Sequence, residues 1–229
     1  QKGQIISKMS RPLLEDGCDV FIRNNNLIDI FRKVIVKQEE SFMSIVSSMK
    51  PFGYRGDLFK NPAKYDLPDL SETPIKGGYT IYGLDSSLHR TKKYAKNTYP
   101  IPRKEYVDGF KLFMPRNQGS GLLGECFSTP IFAKPNDLCT ETFVVIGTFK
   151  TEKEMNNCFS YICTKFFRTM IAIRKIDQGM GQNVYKYVPM QDFSKPWTDK
   201  ELYEKYGLSE EEIDFIETNV KEMSLGGES

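Results

Sequence analysis

A single histidine, His89, lies in a segment rich in Arg and Lys. Nucleophilic or general-base catalysis needs an imidazole oriented by a second group. No partner is spaced to serve it, so no catalytic residue is predicted. Metal-assisted phosphodiester cleavage needs clustered carboxylates beside a lysine. Asp69, Glu72 and Lys76 come nearest, but they are compressed into a Pro-rich stretch that reads as a surface turn. Gly119, Gly121 and Gly124 match G-x-G-x-x-G, with Glu141 downstream in place for a ribose. A dinucleotide fold also needs a helix opening directly after those glycines, and Cys126 to Pro130 offers none. A turn between strands is expected instead. The five cysteines are odd in number and contain no Cys-x-x-Cys pair, which argues against a disulfide framework and a zinc site. No metal ligand is predicted. Asn61-Pro62-Ala63-Lys64-Tyr65 lacks the second proline of the string that amino-methyltransferases place at the reacting base, and reads as chance.

The chemistry left is recognition of a polyanion. Lys and Arg neutralise phosphates, while Arg, Asn and Gln read base edges. Lys92, Lys93, Lys96, Arg103 and Lys104 supply the first kind of group. Arg116, Asn117, Gln118, Gln182 and Asn183 supply the second. Lys165 and Arg168 fall on the polar face of a helix whose end carries Arg174 and Lys175. The formal net charge of +2 hides an uneven distribution. Arg90 to Arg116 is basic, with Glu105 and Asp108 as its local acids. The tail is acidic, with Glu201, Glu204, Glu210, Glu211, Glu212, Asp214, Glu217, Glu222 and Glu228 around Lys205 and Lys221.

These groups need elements to hold them. Leu27 to Ile35 and Gln38 to Met49 show apolar residues at helical spacing, and Pro51 ends the second. Tyr79 to Tyr82, Gly109 to Met114 and Phe143 to Phe149 are strand candidates, and Ser87 to Lys104 reads as an exposed loop or edge hairpin. Thr151 and Glu154 form a capping box. Behind it Met155, Phe159, Ile162, Cys163, Phe166, Met170 and Ile173 repeat at three and four, predicting one long core helix. A strand is expected at Tyr185 to Val188. Two more capping boxes, Thr198 with Glu201 and Ser209 with Glu212, start a pair of short helices. Gln1 to Phe21 reads as strand and loop.

With 229 residues, 39% hydrophobic and 13% aromatic, the chain buries enough apolar surface to fold. It has no signal-peptide pattern and no membrane-length apolar run. The thiols suit a reducing compartment, and a cytoplasmic protein seen as an excised piece is expected.

From Cys139 onward, several strings occur in order: Cys139-Thr-Glu-Thr-Phe143, Tyr161-Ile-Cys-Thr-Lys-Phe-Phe-Arg168, Val188-Pro-Met-Gln-Asp-Phe193, Trp197-Thr-Asp-Lys-Glu-Leu-Tyr203 and Tyr206-Gly-Leu-Ser-Glu-Glu-Glu-Ile213. Together with Arg174-Lys175 they resemble the carboxyl-terminal, target-recognition region of bacterial restriction-modification enzymes, the adenine-specific type II methylases and related restriction subunits. The likeness is thinner through Ser47 to Gly53 and Gly109 to Gly124. It implies sequence-specific recognition of double-stranded DNA by a fragment without a catalytic centre. The parent would use S-adenosylmethionine or Mg elsewhere, with no cofactor in this fragment. The partners implied are duplex DNA and the remaining domains or subunits of the enzyme, with no membrane. The rival expectation is a docking module of the same complex that does not touch DNA. The expected fold is α+β: a mixed or mostly antiparallel twisted sheet packed on a long helix, with a C-terminal helical pair. Residues 1–195 would form the recognition-like domain and 196–229 an acidic helical appendage packed on it.

Overall fold

The computed structural model describes residue 8 and residues 10–223. Of the segment from Gln1 to Phe21 expected as strand and loop, residues 1–7 and 9 lie outside the described residues, as does Glu228 of the acidic tail, and residues 10–21 are loop and turns without a strand. The fold is α+β. Helix α1 (Leu27–Ile35) is followed by strands β1 (Tyr79–Leu84), β2 (Arg90–Ala95), β3 (Phe110–Pro115), β4 (Ile131–Ala133), β5 (Asp137–Cys139) and β6 (Phe143–Phe149). Helices α2 (Glu152–Cys163), α3 (Lys165–Arg174), α4 (Asp199–Tyr206) and α5 (Glu210–Asn219) complete the chain.

Among the described residues the strands form two three-stranded sheets instead of the single sheet expected. One has the order β2-β1-β5, antiparallel then parallel, and the other is antiparallel in the order β4-β3-β6. Strand side chains alternate between faces, and β3 with β6 uses both. Leu112, Met114, Val144 and Ile146 pack into the helical core. Phe113, Phe143 and Val145 pack into a second core, with Ile81, Ala95, Leu138 and Cys139 of the other sheet. The result is helices, sheet and sheet in three layers. Burial on both faces explains why β6 reads as an unbroken apolar run.

Local signals formed where the sequence placed them at α1 and at all three capping boxes. Thr151, Thr198 and Ser209 each accept from the N3 amide, while Glu154, Glu201 and Glu212 reach back to the cap. The long helix, however, is two. Thr164 is extended (φ −62°, ψ 148°), closing α2 and capping α3. Its hydroxyl accepts from Phe167 N at 3.1 Å, and the Asp199 carboxylate accepts from Lys165 N at 3.0 Å and Phe166 N at 2.8 Å. Those first-turn amides would otherwise be unpaired, and a one-residue break leaves the apolar repeat intact. This is why periodicity alone did not reveal it.

Two further expectations are corrected. Gln38 to Met49 holds only a 3-10 turn, Phe42–Ile45. Its flanks are drawn into tertiary pairing, with Phe42 N donating to Val188 O and Ser47 N to Val145 O, both at 2.8 Å. Tyr185 to Val188 is not a strand, since a 3-10 turn spans Gln182–Tyr185 and the chain then turns.

Helices α4 and α5 join the main core through Leu202, Tyr203, Tyr206, Ile216 and Val220. Tyr206 stacks on Phe166 of α3, with ring centroids 4.8 Å apart. Lys33 of α1 reaches Glu212 at 2.6 Å, so the acidic pair is braced from two sides. No helix among the described residues is long and apolar enough to cross a membrane.

Candidate nucleic-acid interface

The chain beyond β3 runs beside the loop that follows α3. Gln118 N donates to Gln178 O at 2.8 Å and Met180 N to Arg116 O at 2.7 Å, with Asn117 bridged antiparallel to Gly179. These bonds bring residues 116–118 next to residues 174–183, two segments far apart in sequence. Two cavities open on either side of the seam, and Arg116 lines both. The first, of about 400 Å³, is lined by Leu84, Leu88 and Arg90 at the end of the β1–β2 hairpin, with Asn117 and Ser128. The second, of about 460 Å³, is lined by Met49, Arg174, Ile176, Gln182 and Asn183. The two cavities meet at Arg116, and we call the pair a furrow: Arg90 and Asn117 line its first part, Arg174, Gln182 and Asn183 its second.

Each arginine is held at one edge. Arg90 donates to Thr129 O at 3.1 Å, and its guanidinium lies 6.0 Å from the centre of the Phe143 ring. Arg116 touches Met49 Sδ at 2.9 Å. Arg174 pairs with Asp19 and lies over Tyr187. Arg103 borders the same region, reaching Ser48 Oγ at 3.1 Å and Met49 O at 3.2 Å. Asn117 and Asn183 are exposed, and neither side chain is bonded within the described residues. Gln182 is partly engaged, donating to Val46 O at 2.7 Å. Two carboxylates share the walls, and both face backbone amides: Glu141 accepts from Gly56 N and Asp177 from Gly179 N.

The remaining expected residues divide by environment. In the β1–β2 ladder Arg90 opposes Leu84, Lys92 opposes Tyr82 and Lys93 opposes Ile81. Arg90 and Lys92 therefore share one face, and Lys93 lies on the other, paired with Glu72 at 2.7 Å. Lys92, Lys96 and Lys104 are exposed with no side-chain partner among the described residues.

Four residues expected at the interface are occupied internally. Arg168 is buried and donates to the carbonyls of Thr164, Cys163 and Glu125, and burial lowers its pKa. Lys175 is buried with its ammonium on Asp177 O, and its pKa is likewise lowered by burial. Gln118 is buried, its Oε1 accepting from Ser128 N at 2.7 Å. Lys165 is held by Glu217, which raises its pKa, and lies 3.6 Å from Glu222.

The glycine string forms a turn, as expected. Gly119, Gly121 and Gly124 all have positive φ. The amides of Ser120 and Gly121 donate to the Glu125 carboxylate at 2.8–3.1 Å. Burial pushes that carboxyl up, but the hydrogen bonds outweigh it and its pKa is lowered. A side chain at Gly121 or Gly124 would strike backbone, Ile176 C at 2.5 Å and Asn219 O at 2.0 Å respectively.

Arg90, Met49, Leu88 and Ile176 line the furrow but were not among the expected site residues. Arg90 was visible as part of the basic run. The three apolar side chains carried no sequence signal, because an exposed aliphatic residue looks like a core residue until its surroundings are known. Among the described residues no group of three or more His, Cys, Asp or Glu side chains is arranged to hold a metal ion. No protein-family model matches the chain, and no curated protein matches it.

Proposed function

We propose that the chain binds double-stranded DNA sequence-specifically through the furrow centred on Arg116, as the target-recognition part of a restriction-modification enzyme. One observation carries the reading: Arg90, Arg116 and Arg174 line adjoining cavities together with the unbonded amides of Asn117 and Asn183. Arginine and asparagine are side chains that hydrogen-bond base edges in the grooves of a duplex. Lys92 and Arg103 supply phosphate contacts beside it, and Lys96 and Lys104 supply them farther from it. The restriction-modification assignment comes from the resemblance of the sequence strings. Neither S-adenosylmethionine nor Mg is assigned to residues of this chain, and both belong to other parts of the parent enzyme. A reducing, cytoplasmic setting suits the free thiols.

The test is a fluorescence-anisotropy titration with randomised duplexes at low and moderate salt, followed by sequencing of the retained pool. Enrichment of one short motif, with affinity falling steeply as salt rises, is the expected result. Charge reversal at Arg116 and Arg174 abolishes it. Retention of full affinity by that double variant overturns the assignment of the furrow.

A second reading, docking to another domain or subunit without DNA contact, is favoured by a different cavity. It lies on α4 and α5, where Asp199, Glu204 and Glu217 surround Tyr203, Leu208 and Ile213. Under that reading the furrow variants bind their partner normally, and substitutions at Leu208 and Ile213 do not.

A further inference from the structure

Leu88 is the most exposed large apolar side chain among the described residues, at 76%. It sits at the turn joining β1 to β2, with φ of 65°. A branched side chain in left-handed backbone is strained, and leucine left in water contributes nothing to the core. Leu13, Leu122 and Val36 are almost as exposed, and Leu88 differs from them in combining exposure with positive φ and a place on the furrow. The turn is closed by hydrogen bonds. Asp85 Oδ1 accepts from Ser87 N at 2.8 Å and His89 N at 2.9 Å, and Leu88 N donates to Asp85 O at 3.2 Å. The hydrogen-bonded turn thus holds Leu88 at the tip of the hairpin.

Its surroundings are cationic and lie on the furrow. Leu88 lines the first cavity with Arg90, Arg116 and Asn117, and Lys92 follows Arg90 on the same face of β2. Two more exposed apolar side chains, Ile176 at 63% and Met49 at 52%, line the second cavity. Aliphatic groups at such a surface pack on a thymine methyl or enter an opened base step, and an aliphatic group at a projecting hairpin tip suits the second. An aliphatic side chain flanked by arginines matches a wedge that enters between base pairs while the cations hold the phosphates on either side.

Resting on the duplex-binding reading above, we infer that Leu88 inserts between two base pairs and kinks the bound DNA. Partial unstacking is offset by the extra phosphate contacts of the bent duplex. The arginines and amides of the furrow hold the duplex by its base edges and adjacent phosphates, and the hairpin tip deforms it.

The experiment uses the full chain and the duplex enriched from the random pool, or a mixed-sequence duplex at low salt if none is enriched. The duplex carries a donor and an acceptor dye at its ends and 2-aminopurine within the site. Wild type is expected to raise energy transfer, corresponding to a bend of about 20–90°, and to brighten 2-aminopurine by unstacking it. Leu88→Ala and Leu88→Gly are expected to bind within about tenfold of wild type while losing both signals. Leu88→Gly is expected to melt no lower than wild type, since glycine relieves the positive φ. Binding with no bend, or variants that bend DNA as wild type does, overturns the wedge and leaves the furrow reading standing. Absence of any duplex binding by wild type overturns both. Association of free chains that depends on Leu88 assigns the tip to a protein contact and overturns the wedge.

Discussion

Arg174, the last residue of α3, forms an ion pair with Asp19, 155 positions earlier in the chain. Asp19 also accepts from Lys186 at 2.8 Å and from the hydroxyl of Tyr187. One carboxylate thus fixes the direction of an arginine in the furrow and ties the irregular amino-terminal segment to the end of α3 and to residues 186 and 187. The hydrogen bonds from Lys186 and Tyr187, followed by Arg174, hold its carboxyl well below the usual carboxylate range.

Asp19→Asn is therefore expected to loosen Arg174 at a modest cost in stability, about 1 kcal/mol, because the group is half exposed and screened by solvent. The pH dependence has a defined sign. A depressed folded-state pKa adds stability that is present above the unfolded carboxylate pKa and is lost as pH falls through the folded one. Denaturant melts of wild type and variant should diverge at neutral pH and converge in strong acid. Parallel curves down to the lowest pH at which the chain stays folded would remove Asp19 from this role.

Arg116 lies at the junction of the two cavities. Arg116→Ala is expected to weaken duplex binding by about tenfold, ~1.4 kcal/mol. If the guanidinium reads a base, the loss is confined to one position of the motif. A uniform loss with a salt slope smaller by about one would assign it to a phosphate.

Lys111 is fully buried, its ammonium donating to the carbonyls of Val107 at 3.2 Å, Gly109 at 2.9 Å and Lys134 at 2.8 Å. Three neutral acceptors compensate incompletely for lost water, and burial pushes its pKa down from 10.5 to about 8. The unfolded chain then binds more protons between those values, so stability should rise as pH goes from about 8 to 10.5. Lys111→Met is expected to stabilise the fold at neutral pH and to flatten that rise. Unchanged pH dependence of the midpoint in the variant would show that Lys111 does not produce it.

Tyr185 is wholly buried, and its hydroxyl has no hydrogen-bond partner among the described residues. Tyr185→Phe removes an unpaired polar group and keeps the ring against Phe42 and Phe167. Stability should be unchanged or higher by up to ~1 kcal/mol. A clear loss in calorimetry would mean that the hydroxyl has a partner, such as a buried water.

Much of the architecture was legible in local sequence. Capping boxes at Thr151, Thr198 and Ser209 act within three residues. The β-rich apolar run of β6 and the apolar repeat of α1 likewise depend on near neighbours. The basic middle and acidic tail were legible as well, because charge is a property of composition.

Tertiary structure alone decided which of those charges are available. Arg168 and Lys175 look like surface cations in sequence, yet packing of the surrounding elements buries both, and they donate mainly to carbonyls within five residues, with Glu125 O the one distant acceptor. Arg116 and Arg174 have the same chemistry and face the furrow. Thr164 and Asp199 split one helix into two, because a carboxylate 34 positions away from Lys165 satisfies the amides that the break exposes. The furrow itself exists only because backbone bonds between residues 116–118 and 178–180 hold distant segments side by side. Hydrogen bonding and burial between remote residues depend on the fold as a whole, and no window of neighbouring residues contains them.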